Sequence, residues 1–177
     1  MLNKILVAVD NSESNQQVFD EAVFLARVTN ARLMLLHVLS PFDEQYVDPL
    51  FLQPTILYPQ LQRNNSTYIN DWEKLKENRL NWLKWLCQQA TQLGVKAEFS
   101  QNIGEPSRII CDIAQNWEAD VIVIGRRGRR GLSELLMGSV SNYVLHHASC
   151  SVFTVQGIIP DGNEISQTGK VEIISKV

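Results

Sequence analysis

Residues 125 to 141 read Gly-Arg-Arg-Gly-Arg-Arg-Gly-Leu-Ser-Glu-Leu-Leu-Met-Gly-Ser-Val-Ser. Glycines placed directly after an apolar run let backbone N–H groups approach an anion closely. The closing Gly138-Ser139-Val140-Ser141 opens a helical pattern, whose first N–H groups and dipole favour negative charge. Ser139 and Ser141 add hydroxyl donors. Arg126, Arg127, Arg129 and Arg130 supply guanidiniums able to grip a phosphate or carboxylate in bidentate fashion. Spacing alone also fits a glycine-rich turn with a serine cap, and a solvated charged loop. The segment is not a P-loop, since no Gly-Lys-Ser/Thr follows at the required distance. It is not a dinucleotide fingerprint, because Arg127 stands where the second glycine belongs.

Other candidate chemistry is sparse. Asp10 follows the first apolar run and opens its turn, at the carboxyl end of the first strand. His146 and His147 are adjacent, whereas a helical metal site wants i and i+4 on one face. His37 ends an apolar run and reads as a packed histidine or a polar contact. Gly-x-Ser-x-Gly is absent, and no Ser-His-Asp set follows from order. Phosphoryl transfer needs a base or water-positioning group beside the metal. Asp10 is the only obvious acid near these loops, so an efficient phosphoryl-transfer enzyme is not supported. Cys87, Cys111 and Cys150 lie far apart without a C-x-x-C pair and read as packed thiols.

The elements that hold these residues alternate between strand and helix. Ile5 to Val9 is a continuous β-rich run, suited to a strand buried on both faces. Asp10-Asn11-Ser12 breaks it, and Ser14 with Gln17 is a capping-box pattern. Val18, Ala22, Leu25 and Ala26 predict a helix to about Thr29, and Arg32 to Val38 a second strand. Residues 41–65 form a long insertion with three prolines and no clear period. A long helix then carries Trp72, Leu75, Leu83, Leu86 and Ala90 on one face and ends at Gly94. Trp82 and Trp85 widen its apolar surface toward core or an oligomer interface. Val95, Ala97 and Phe99 alternate with polar residues, as in a more exposed strand. Gly104-Glu105-Pro106 opens a helix that Trp117 ends. Asp120 to Gly125 is a fourth strand, about Ser139 to His147 a helix, and Cys150 to Val155 a fifth strand. Residues 156–177 form an extension in which Lys170 to Ile174 would make an extra strand.

This alternation implies a parallel sheet covered on both faces. Ligands of such sheets sit past the carboxyl ends of the strands, at the topological switch point. The functional residues should therefore follow strands one, two and four, at Asp10, Val38 and Gly125.

The chain has 177 residues, enough for one domain with its own core. With 16 Lys and Arg against 19 Asp and Glu, its net charge is −3, which argues against a dedicated nucleic-acid binder. No apolar run reaches the 18 or so residues of a membrane span. The apolar part of the N-terminus is too short for a signal peptide. A cytoplasmic protein without membrane partners is expected.

Gly125, Gly128 and Gly138-Ser139 fit the pattern G-x2-G-x9-G-[S/T], by which the sequence resembles the universal stress protein family. Ile5 to Asp10 with Ser12, Leu35-Leu36-His37-Val38 and Gly104-Glu105-Pro106 resemble that family's first two strands and its Gly-Asp-Pro. Residues 1–155 would form the family domain. The resemblance implies an α/β Rossmann-like fold of the adenine nucleotide alpha hydrolase type. Its five-stranded parallel sheet would run 3-2-1-4-5, with helices on both faces. It implies ATP or another adenine nucleotide as ligand, with Mg²⁺ or Mn²⁺ as an accompanying ion through Asp10. Val9 and Asp10 would lie by the adenosine and Val38 by the base. Gly125, Arg126, Arg127, Gly128, Gly138, Ser139, Val140 and Ser141 would line the ribose and phosphates. A homodimer through Ser151, Val152, Phe153, Thr154 and Val155, or a higher oligomer, would act as a ligand-dependent sensor with an unidentified protein partner. The two alternatives are a cyclic nucleotide or small carboxylate on the arginines, and a weak ATPase or phosphotransferase. Arginine at 126 and 127 departs from the small residue and histidine common in the family, and Glu105 replaces its usual Asp.

Overall fold

The computed structural model describes residues 1–12, 14–40, 65–126 and 138–156, with side chains of the long helix from residue 70 onward. Arg127, Gly128, the other loop arginines, residues 41–64 and the strand expected at 170–174 lie outside the described residues.

Five strands and four helices alternate along the described chain: β1 (Lys4–Ala8), α1 (Asn15–Thr29), β2 (Arg32–Leu39), α2 (Asn65–Gln92), β3 (Lys96–Ile103), α3 (Pro106–Asn116), β4 (Val121–Gly125), α4 (Ser139–His147) and β5 (Ser151–Val155). All strand pairings are parallel, and the sheet order is β3-β2-β1-β4-β5.

The continuous apolar runs are explained by the two layers that cover the sheet. Successive side chains of a strand point to opposite faces. Ile5 and Val7 of β1, Leu33 and Leu35 of β2, and Val121 and Val123 of β4 pack with α1 and α2. Leu6, Leu36, Ile122 and Ile124 pack on the other face with α3 and α4. The central strands are therefore apolar on both faces over most of their length, with His37 of β2 a buried polar exception. β3 is an edge strand, which is why it alternates, and it leaves Phe99 and Ile103 exposed.

Local signals set the helix ends. α1 ends at Asn30, which takes the left-handed conformation (φ 55°). Its start differs from the expected capping box: Ser14 makes no side-chain cap, and its hydroxyl lies 3.0 Å from the Ser12 hydroxyl. α3 starts on Glu105, whose carboxylate accepts from Ser107 N–H (3.2 Å) and Arg108 N–H (3.1 Å), with Pro106 next in line. Glutamate here does the work usually given to a shorter side chain. At the amino-terminal ends of the central strands, Asp120 Oδ2 accepts from the backbone N–H of Asn3 (2.6 Å) and Lys4 (2.9 Å), clipping the start of β4 to the start of β1.

Candidate functional site

The switch point of this sheet lies between β1 and β4, because the chain leaves β1 toward β2 and β3 on one side and β4 and β5 on the other. Ala8 pairs with Ile124, so Val9 and Asp10 continue one strand directly beside Gly125 and Arg126 on the other. Val38 near the end of β2, Asp10 just past β1, Arg126 just past β4 and Gln156 just past β5 lie along the row of carboxyl ends of the sheet. Four strands thus bring together residues far apart in sequence.

On the β1 side, Val9 is buried and its N–H donates to the Leu36 carbonyl (2.9 Å). Asp10 turns the chain. Its Oδ1 accepts from the Ser12 N–H (3.0 Å) and the Ser12 hydroxyl (2.5 Å), an Asx-type turn. Its own N–H donates to Asn15 Oδ1 (3.2 Å), and Asn15 is buried at the first position of α1. The loop that carries the carboxylate is thereby braced from both directions.

On the β4 side, a single residue gathers the ends of the arginine-rich excursion. Arg126 N–H donates to the Val155 carbonyl (2.7 Å). The Arg126 carbonyl accepts from Gly138 N–H (2.8 Å) and from the Ser141 hydroxyl (2.9 Å). The N-terminus of α4 is therefore pinned at the end of β4, with Gly138 as its N-cap and Ser139 exposed beside it. The free N–H groups of a first helical turn at this place form an anion-binding end. The Arg126 guanidinium donates through Nη1 to Gln156 Oε1 (2.8 Å). Val38 and Val140 both pack in the α3/α4 layer, giving the site an apolar side.

The structure brings Val9, Asp10, Val38, Gly125, Arg126, Gly138, Ser139, Val140 and Ser141 to this end of the sheet. Ser141 sits there in a different role from the expected hydroxyl donor: it is buried, and its hydroxyl faces the Arg126 and Gly138 carbonyls (2.9 and 3.0 Å). Two residues of the site escaped the sequence reading. Asn15 looked like an ordinary helix residue, although a polar side chain just after a turn was its signal. Gln156 becomes a partner of Arg126 only through the β4–β5 register.

The other candidates fall elsewhere. His37 is buried on the α1/α2 face, its ring edge-on to Trp82 with centroids 5.7 Å apart. His147 stacks on Tyr143 at 3.9 Å, and its Nδ1 lies 2.8 Å from the Tyr143 carbonyl oxygen. Burial, aided by nearby acidic groups, pushes the thiols of Cys87 and Cys111 up, and burial does the same at Cys150. Among the described residues, no group of three or more His, Cys, Asp or Glu is arranged to hold a metal ion. Among them, too, no helix is long and apolar enough to cross a membrane.

Comparison with known proteins joins this geometry to a family. The model of the universal stress protein family matches residues 1–156. The chain belongs to the universal stress protein family. The universal stress protein Sll1388 of Synechocystis is 40% identical over 154 residues, covering 86% of this chain and 97% of that protein. Among solved structures, hypothetical protein MJ0577 superposes with a TM-score of 0.70 at 23% identity, covering 90% of this chain and 99% of the other. A universal stress protein in complex with cAMP gives 0.57 at 20% identity, covering 89% and 99%. A family member from Arabidopsis thaliana with AMP bound gives 0.56 at 22% identity, covering 88% and 92%. The Rossmann-like fold and the 3-2-1-4-5 order expected from the sequence are those of this family.

Proposed function

We propose that this universal stress protein binds an adenine nucleotide, ATP first among them, across the carboxyl ends of β1 and β4, and acts as a ligand-dependent regulator rather than a dedicated enzyme. The observation that carries the reading is the pinning of the α4 N-terminus to Arg126, beside Asp10. It supports the reading because a helix N-terminus, which favours negative charge, and a carboxylate suited to a ribose both lie past the carboxyl ends of the two switch-point strands. The AMP and cAMP held by two structural neighbours support an adenine ligand for this fold.

In this reading the base lies by Val38 and Val9, and the ribose by Asp10. The phosphates meet Gly138, Ser139 and Arg126, joined by Arg127 and Gly128. Asp10 is the protein carboxylate in the row, and one carboxylate plus ligand phosphates is a sufficient donor set for Mg²⁺ or Mn²⁺. The ion would neutralise phosphate charge. Hydrolysis is expected to be slow, because Asp10, the obvious acid at the site, serves in binding and phosphoryl transfer needs a further base or water-positioning group.

The regulatory form is proposed as a cytoplasmic homodimer through β5, whose outer edge is unpaired among the described residues. A ligand changes such an assembly only by binding its states with different affinity.

The test is to denature freshly purified protein and identify any released small molecule by mass spectrometry. The emptied protein is then titrated with ATP, AMP, cyclic nucleotides and dicarboxylates. Co-purified ATP, or ATP binding lost in Gly138→Val, supports the reading. Affinity for a dicarboxylate without adenine preference would transfer the site to the alternative anion on the arginines.

A further inference from the structure

We propose that Gln156 is a positioning residue that holds Arg126 for a ligand's phosphate chain, making the site discriminate by phosphate number. The inference rests on the adenine-nucleotide reading above and deepens it. Arg126 stands directly beyond Gly125, at the carboxyl end of β4 beside the switch point. Its backbone is fixed on both sides, by N–H to Val155 and by its carbonyl to Gly138 and Ser141. A guanidinium on a flexible stem would still sample many rotamers, and ordering it on binding opposes affinity.

Gln156 removes part of that freedom. It is the first residue beyond β5, and the register places it beside Arg126. Its Oε1 accepts from Nη1 at 2.8 Å. A neutral amide is the suitable holder. It occupies one of five guanidinium N–H donors and leaves the rest for phosphate oxygens. A carboxylate in its place would neutralise the charge that the phosphates need.

Binding of adenosine and ATP is measured by calorimetry on the full chain, for wild type, Arg126→Ala, Gln156→Ala and the double variant. Gln156 is exposed, so its replacement leaves the core intact. The expected result is a loss of ATP affinity of about fivefold to tenfold in Gln156→Ala, with adenosine affinity unchanged. In the Arg126→Ala background the same change should cost nothing further. The proposal is overturned if Gln156→Ala weakens adenosine and ATP equally, which marks a structural effect. It is equally overturned if the two substitutions add, or if ATP binding ignores both. A wild type that binds ATP yet is insensitive defeats only this inference. A wild type that binds neither adenosine nor ATP defeats the nucleotide reading with it.

Discussion

Asp10 is the residue on which the β1 side of the site turns, and its environment makes specific demands. Asp10→Ala removes a carboxylate that accepts two hydrogen bonds from Ser12. It should lower ATP affinity by about tenfold or more while lowering stability by about 1 kcal/mol. Calorimetry and urea denaturation read the two effects separately. Asn15→Ala should act in the opposite proportion. It takes the Oδ1 acceptor from the Asp10 N–H in a buried place and should destabilise by about 1–2 kcal/mol. The legible part of the site was its chemistry of type: an acid after the first strand, glycines and serines after the fourth. The illegible part was the pairing of donors with acceptors. Ser141 reads as a ligand donor in sequence, yet a backbone carbonyl fifteen residues away captures its hydroxyl. Gln156 carries no motif at all.

Helix and strand ends are where charge supports this fold, and they make it acid-sensitive. Hydrogen bonds from Asn3 and then Lys4 hold the Asp120 carboxyl below the ordinary aspartate range. At Glu105 partial burial opposes, but the bonds from Ser107 and Arg108 prevail and the carboxyl again lies below its usual range. A depressed folded-state pKa means the unfolded chain binds the proton more readily. The stabilisation is therefore present above the unfolded carboxylate range, near pH 4, and is lost as pH falls through the lower folded values. Wild type should weaken between about pH 5 and pH 3, and Asp120→Asn should show a flatter dependence in denaturant melts over that window. Glu105→Ala should destabilise by about 1 kcal/mol at neutral pH through loss of the α3 cap. Glutamate reads as a poor cap in sequence, and only the fold shows its carboxylate reaching two N–H groups. Gly104, at φ +145°, marks the same turn, and a Cβ there would lie 2.8 Å from Ile109 Cδ1.

Across the whole molecule the alternation of strand and helix, and with it the parallel sheet, was the most legible feature. The apolar runs of β1, β2 and β4 read as strands covered on both faces and the alternating Val95-Ala97-Phe99 segment as a more exposed strand, which the edge position of β3 bears out; the order 3-2-1-4-5 itself came with the family resemblance. The two faces hold separate apolar layers, so substitutions on opposite faces, such as Leu35→Ala and Ile122→Ala, should add in their effects on stability. Edges were not legible in the same way, because what covers an edge is not written in its own residues. The proposed dimer is tested there: Thr154→Lys puts a charge on β5, and such charges oppose edge-to-edge pairing. Sedimentation should then show a monomer where the parent sediments as a dimer. An unchanged dimer would place the contact elsewhere.

Arg126 has a consequence of another kind. The chain departs from the base of the site at Arg126 and is tied back to it at Gly138, the Arg126 N–H donating to Val155 and the Arg126 carbonyl accepting from Gly138. The ends of the intervening stretch are thus held together by the scaffold, and doubling the length of a chain segment closed at its ends costs only about 0.6 kcal/mol. The stretch can act as a cassette, exchanged or lengthened without renegotiating the scaffold. Chimeras that keep Arg126, Gly138 and Ser141 and import a foreign stretch should melt within about 2 °C of the parent, whatever they bind.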